Sequence, residues 1–197
     1  MPQAVAFAVI AGYADAVGYL RFKAFAGMMT GNTVLLGLAI FHRAELAPWQ
    51  YAGLLALFFT AAILAYSLLP RLPPAALLLV EAVLILFGDA FRGAWAIIFL
   101  VLAMGVQNPV AARFGVPLNT TFITGDILRF ADGLARHWHL SSRNARAEPF
   151  AIYGLAWLGY AVGAGLGAAG FLLVAWPLLV PVSLLAFIYG WNRYQTG

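Results

Sequence analysis

Asp15, Asn32, Gln107, Asn108 and Asp126 are polar side chains set inside long apolar runs. In that setting a carboxylate or amide can bind a solute, hold a transferable proton, or tie helices together. Two short motifs accompany them. Met28-Met29-Thr30-Gly31-Asn32 turns polar where the surrounding chain is greasy, and Phe122-Ile123-Thr124-Gly125-Asp126 repeats its Thr-Gly-polar core. A Thr-Gly pair ahead of an apolar run suits a helix start, with Thr30 or Thr124 capping the exposed amides. Helices beginning at Gly31 and Gly125 would aim free N–H groups and the positive dipole end at a common pocket, which favours an anionic or dipolar solute. Asn119, Thr120 and Thr121 add an amide and two hydroxyls ahead of the second motif.

The pairing extends beyond the motifs. Gly12-Tyr13-Ala14-Asp15-Ala16-Val17 aligns with Gly105-Val106-Gln107-Asn108-Pro109-Val110 at an offset of 93, and the Thr-Gly pairs align at 94. Asp15 is thus matched by Asn108 and Asn32 by Asp126, so each half supplies one carboxylate and one amide. Face to face, these groups and Gln107 would line a polar pocket near the middle of the membrane, with Asp15 as the proton-responsive group. The plainer alternative is interhelical hydrogen-bond glue, and Asp126 can instead pair with Arg129 three residues on. Glu81, inside a leucine-rich segment, reads equally as a proton-sensitive carboxylate or as one paired at an interface.

The elements that would position these groups are helices. Hydrophobic residues make up 64% of the 197 positions and charged ones 9%, too little polar surface to cover a soluble domain. The apolar runs are long and unbroken, unlike the alternation of a membrane barrel, so the fold is all-α and the lipid bilayer is the surrounding partner. The segments are 4–22, 28–41, 48–69, 74–88, 93–112, 119–137, 150–174 and 177–191. They divide into related halves, 1–90 and 91–197, within a single transmembrane domain.

A crossing takes about 20 apolar residues. The segments at 28–41 and 119–137 are too short or too charged for comfort, which favours six spans plus two Thr-Gly half-helices and inverted repeats. Eight spans and parallel repeats are the alternative. On either count seven basic residues fall on one side and four on the other, which places both termini in the cytoplasm. For six spans the richer side holds Arg71, Arg113, Arg129, Arg136, Arg143, Arg146 and Arg193, against Arg21, Lys23, Arg43 and Arg92. Ala24-Phe25-Ala26 resembles a signal-peptidase site, but Met1-Pro2-Gln3 lacks a basic side chain and Asp15 interrupts the apolar stretch, so the first helix is expected to be retained.

Several function classes drop out. The positive charge is scattered and includes a single lysine, Lys23, so no nucleic-acid partner is implied. Without cysteine there is no disulfide or zinc-thiolate site. His137 and His139 flank Trp138 with no third ligand beside them, so no metal or cofactor is expected. No nucleophile-base set or phosphate loop marks an enzyme. Gly159, Gly163 and Gly167, spaced by four, make a small-residue face for close helix contact, either within the chain or as a homodimer seam. Trp49, Trp138, Trp176 and Trp191 stand near segment ends as interfacial anchors.

On Gly12-Tyr13-Ala14-Asp15-Ala16-Val17, Met29-Thr30-Gly31-Asn32-Thr33-Val34-Leu35-Leu36-Gly37, Met104-Gly105-Val106-Gln107-Asn108 and Thr120-Thr121-Phe122-Ile123-Thr124-Gly125, the chain resembles the YoaK-type family of bacterial multi-pass inner-membrane proteins of unknown function. The position after the second Thr-Gly is usually neutral in that family, so Asp126 departs from its pattern. The resemblance implies a bacterial cytoplasmic membrane and no established activity. The residues themselves point to a small-solute secondary transporter or permease, possible proton coupling included. A non-transporting scaffold or sensor is the alternative.

Overall fold

The computed structural model describes residues 2–42, 45–68, 70–91, 93–114, 116, 123–138 and 150–196. These residues form helices α1 (Pro2–Phe22), α2 (Met29–Phe41), α3 (Pro48–Leu68), α4 (Pro74–Ala90), α5 (Ala94–Arg113), α6 (Ile123–His137), α7 (Ala151–Leu173) and α8 (Leu179–Thr196), and no strand occurs among them. The all-α membrane reading holds, and helix ends fall close to the apolar runs. α4 starts on Pro74 with Pro73 as its N-cap, where a missing N–H costs nothing. Gly93, at φ +65°, takes the left-handed conformation that folds α5 back against α4.

The distribution of polarity is inverted relative to a soluble protein. Asp15, Asn32, Glu81, Gln107 and Asp126 are buried, whereas Phe59, Leu79, Val162, Leu166 and Leu173 are exposed. Apolar side chains can face outward in this way only where lipid replaces water. α1, α3, α5 and α7 are each long and apolar enough to cross a membrane. α6 is amphipathic, with Asp126, Arg129, Asp132 and Arg136 along its length.

Shared clefts give the helix directions. Arg21 in the last turn of α1 and Lys23 just after it, Trp49 and Gly53 at the start of α3, and Gly93 and Ile97 at the start of α5 line one cleft. The end of α1 and the start of α3 therefore lie at the same end of the bundle, and α2 leaves and returns there without crossing. Ala175 and Trp176, after α7, line a second cleft with Arg21 and Gly93. The far ends of α5 and α7 are accordingly at the opposite end of the bundle, and the last turns of α6 lie there, where Gly133 meets Phe150. The end of α1 and the start of α5 share the first cleft, so α5 runs opposite to α1.

The packing is closed under exchange of halves. α1 packs on α7 and α3 on α5, α4 on α5 and α8 on α1, α2 on α3 and α6 on α7, while α1 meets α5 and α4 meets α8. Replacing α1, α2, α3 and α4 by α5, α6, α7 and α8, and the reverse, returns the same set. The closest crossings repeat as well. A Cβ on Gly12 would strike the Tyr160 carbonyl and stand 3.0 Å from the Ala164 nitrogen, while one on Gly105 would stand 2.8 Å from the Phe58 carbonyl and 3.5 Å from the Ala62 nitrogen. The offsets are 93 on one side (105 − 12) and 102 on the other (160 − 58 and 164 − 62).

Gly159, Gly163 and Gly167 face α1. A Cβ at Gly163 would collide with the backbone of Val9, and one at Gly167 would lie 2.6 Å from the Tyr13 carbonyl. These glycines let two backbones touch inside the chain, which corrects the dimer-seam alternative: they offer no free surface for a second copy.

The absence of cysteine makes the direction of α2 directly measurable. Single cysteines replacing Lys23 and Glu45 should react with a membrane-impermeant maleimide from the same side in oriented vesicles, and cysteines replacing Arg71 and Arg193 from the other. Labelling of the Lys23 and Glu45 positions from opposite sides would show that α2 crosses.

Candidate functional site

Asp15 is buried on the inner face of α1, seven residues before Phe22 and thus about 10 Å inside the bundle at 1.5 Å per residue. Its Oδ1 accepts hydrogen bonds from the backbone amides of Gly27 at 2.6 Å and Met28 at 3.1 Å, and its Oδ2 accepts from the Tyr160 hydroxyl at 2.6 Å. Gly27 and Met28 immediately precede α2. The amino end of α2 is therefore drawn into the bundle onto a carboxylate supplied by α1, where N–H groups without helical partners and the positive dipole end both favour negative charge. An anion was expected at this helix start; the anion is Asp15 itself.

The connecting loop, residues 23–28, is held at further points. Asn32 is fully buried and grips Phe25 twice: its Oδ1 accepts from the Phe25 amide at 2.9 Å and its Nδ2 donates to the Phe25 carbonyl at 2.8 Å. The Tyr51 hydroxyl donates to the Lys23 carbonyl at 3.0 Å. Small residues make room. Ala24 and Ala26 are completely buried, and a Cβ on Gly18 would stand 3.0 Å from the Ala24 carbonyl oxygen. Gly31 supports the Phe25 ring, whose Cδ2 would lie 2.8 Å from an added Cβ.

Two expectations about the motif change. α2 begins at Met29, its N-cap is Met28 without a side-chain cap, and Thr30 is exposed. Thr30 is not the cap because the Asp15 carboxylate already holds the amides that lead into the helix. The motif's polar groups also do not turn toward a shared cavity: Asp15 and Asn32 bind the same loop at different points. Three clefts of about 580, 530 and 540 Å³ are lined by other residues.

The second half is built on the same plan with different chemistry. Asn108, the counterpart of Asp15, is half-buried on α5, and the position matching Tyr160 is Phe58, which has no hydroxyl to donate. Gln107 is fully buried, and its Nε2 donates to the Phe7 carbonyl at 3.0 Å, joining α5 to α1. Thr124 is exposed and Gly125 half-buried in the first turn of α6, with Asp126 buried beside them. Arg129 does not pair with Asp126. Its guanidinium lies over the Tyr153 ring, 5.4 Å from the centroid, and the ion pair of this helix is Asp132 with Arg136 at 2.9 Å. The expected groups at Asn119, Thr120, Thr121, Phe122 and His139, and Arg43, Arg92, Arg143 and Arg146 of the charge count, lie outside the described residues.

A second carboxylate escaped the sequence reading. Asp89, at the end of α4, accepts from the Leu178 amide at 2.8 Å and faces Arg21 at 3.5 Å. Leu178 immediately precedes α8, so Asp89 does for α8 what Asp15 does for α2. It falls just past the apolar run at 74–88, and no motif or spacing singles it out. Tyr160, 145 residues along the chain from Asp15, carried no signal of that contact.

Two buried carboxyls keep oxygens unpartnered among the described residues: both oxygens of Glu81 and the Oδ2 of Asp126. Gly88 meets Leu100 across the α4–α5 hairpin.

A family model described as "Protein of unknown function (DUF1275)" matches residues 3–191. The chain is 30% identical to the UPF0700 transmembrane protein RA0705 of Rhizobium meliloti (strain 1021), over 83% of this chain and 72% of that one. It is 28% identical to the UPF0700 transmembrane protein YoaK of Bacillus subtilis (strain 168), over 78% of this chain and 76% of that one. No solved structure matches.

Removing the Tyr160 hydroxyl from Asp15 should cost about 1–3 kcal/mol. Tyr160→Phe is expected to lower the melting temperature of the detergent-solubilised protein by a few degrees, and Asp15→Ala by more, because two amides lose their acceptor. The double variant should lose less than the sum of the two, as groups in one network do; strict additivity would show that they act separately.

α6 does not traverse the bundle, and burial pushes its Asp126 up to about 6 against the opposing pull of Arg129. The folded chain then binds this proton more tightly than the unfolded chain, so the group's contribution is complete below about pH 4 and is lost as pH rises through the folded value. The melting temperature of the wild type relative to Asp126→Asn should fall between about pH 4 and about pH 7 and then level off. A difference that stays flat would contradict this.

Proposed function

The chain belongs to this DUF1275 family of unknown function, and we propose that it is a small-solute secondary transporter or permease. In this reading its halves, 1–90 and 91–197, are inverted repeats that move against each other in the bacterial cytoplasmic membrane. The observation that carries the reading is that α2 is tied to the end of the bundle where α1 finishes, while the last turns of α6 lie against the start of α7 at the other end. Paired half-helices in oppositely directed repeats are a common construction of secondary transporters. Arg71, Arg113, Arg129, Arg136 and Arg193 sit with the end that bears both termini, and Arg21 and Lys23 with the other. By the positive-inside rule the termini are then cytoplasmic.

The proton-responsive groups in this proposal are Glu81 and Asp126. Asp15 already accepts three hydrogen bonds, so protonating it would disturb the start of α2. Glu81 has no such partners among the described residues, and an ionised carboxylate buried that way is costly. It can take up or release a proton only with a change in its surroundings, which is what coupling to movement requires.

The saturation of Asp15 and Asn32 by the chain's own backbone favours a second reading, a non-transporting scaffold or sensor in which those groups only hold helices together.

Proteoliposomes loaded with a pH-sensitive dye and offered amino acids, sugars, nucleosides and organic acids separate the two. Transport predicts that one solute class drives proton movement above the protein-free level and that Glu81→Gln reduces it at least tenfold. A scaffold predicts no movement with any class, and a Glu81→Gln variant that differs only in thermal stability.

A further inference from the structure

Lys23 is the chain's sole lysine, and among the described residues it is the only non-glycine with positive φ, at 56°. It directly follows α1, a position where glycine is usual because a side chain is strained in the left-handed region. Its carbonyl is fixed by the Tyr51 hydroxyl and its amide by the Tyr19 carbonyl. Its ammonium stands 5.8 Å from the centre of the Tyr19 ring and has no ion pair among the described residues. A strained backbone that holds a charged side chain in a set place is a reason to look for what that side chain meets.

It meets the mouth of the cleft of about 580 Å³ between the end of α1 and the starts of α3 and α5, within the range of small-molecule sites, about 300–1,000 Å³. The walls are apolar, formed by Leu54, Leu57, Ile97 and Ile98, while Arg21 joins Lys23 at the rim and Glu45 supplies a carboxylate there. Arg21 is partly engaged by Asp89 at 3.5 Å, a long ion pair that leaves donors of its guanidinium open. An apolar slot with cations at its mouth complements an acyl chain ending in a phosphate, and the chain's surroundings are lipid.

We propose that this cleft is a phospholipid site, with one acyl chain between α1, α3 and α5 and the phosphate at Lys23 and Arg21. The site is separate from the carboxyls invoked for transport, and its test does not depend on any solute flux. Gly53 lines the cleft, and an added Cβ there meets nothing within 4 Å, so a larger side chain would fill the slot without striking the protein.

Native mass spectrometry of the purified protein with phosphatidylglycerol, and with diacylglycerol of the same chains, tests the assignment. Wild type should retain one phosphatidylglycerol at least fivefold more strongly than diacylglycerol. Lys23→Gly, which keeps the left-handed backbone relaxed and should melt no lower than wild type, should lose at least fivefold in phosphatidylglycerol retention. Gly53→Leu should weaken both lipids. Equal retention of the two lipids by wild type, or unchanged phosphatidylglycerol retention in both variants, would leave only unspecific lipid around the bundle and overturn the proposal.

Discussion

The Asp15 carboxylate at the amino end of α2 is the interaction on which the rest of the structure depends. A loop leaving a transmembrane helix ordinarily stays at the surface, where water satisfies its backbone. Here residues 23–28 turn back inward, and their amides and carbonyls need partners from the protein itself. Asp15 takes the amides of Gly27 and Met28, Asn32 takes both polar groups of Phe25, and Tyr51 takes the Lys23 carbonyl. With those groups satisfied, α2 can start inside the bundle and return to the end it came from. The direction of every later helix follows from that return.

Asp89 solves the same problem for α8, and Tyr160 extends the Asp15 arrangement to α7. That third contact is possible because α1 and α7 lie backbone to backbone along Gly159, Gly163 and Gly167. Glycine spacing and the buried carboxylate are therefore one device: the close crossing brings the tyrosine to the aspartate. In the other half Gly105 makes the matching crossing with α3, but the positions matching Asp15 and Tyr160 are Asn108 and Phe58, with neither charge nor hydroxyl. The two halves thus share the close crossing and differ in its chemistry: a carboxylate and a tyrosine in one, an amide and a phenylalanine in the other.

Helix number, helix ends and the polar positions were legible in the sequence because lipid imposes a length and an apolar composition on whatever crosses it. The shortness of the run at 28–41 is matched by a 13-residue α2, shorter than the four helices long enough to cross a membrane. The partners of the polar residues were not legible. Asp15 and Asn32 read as pocket-lining groups because spacing locates a residue along a helix but does not show which backbone folds back to meet it. Asp89 and Tyr160 belong to no motif, and the contacts of both join segments far apart in the chain. Thr30 followed the usual capping pattern, and a carboxylate from another helix displaced it.

The central claim is that Asp15 holds the start of α2 inside the bundle, and hydrogen exchange at the amides of residues 25–32 tests it most directly. In the wild type these amides should exchange slowly, at rates comparable to the middle of α1. In Asp15→Ala they should exchange at least a hundredfold faster while the middles of α5 and α7 keep their protection. Equal protection of residues 25–32 in the two proteins would contradict the account.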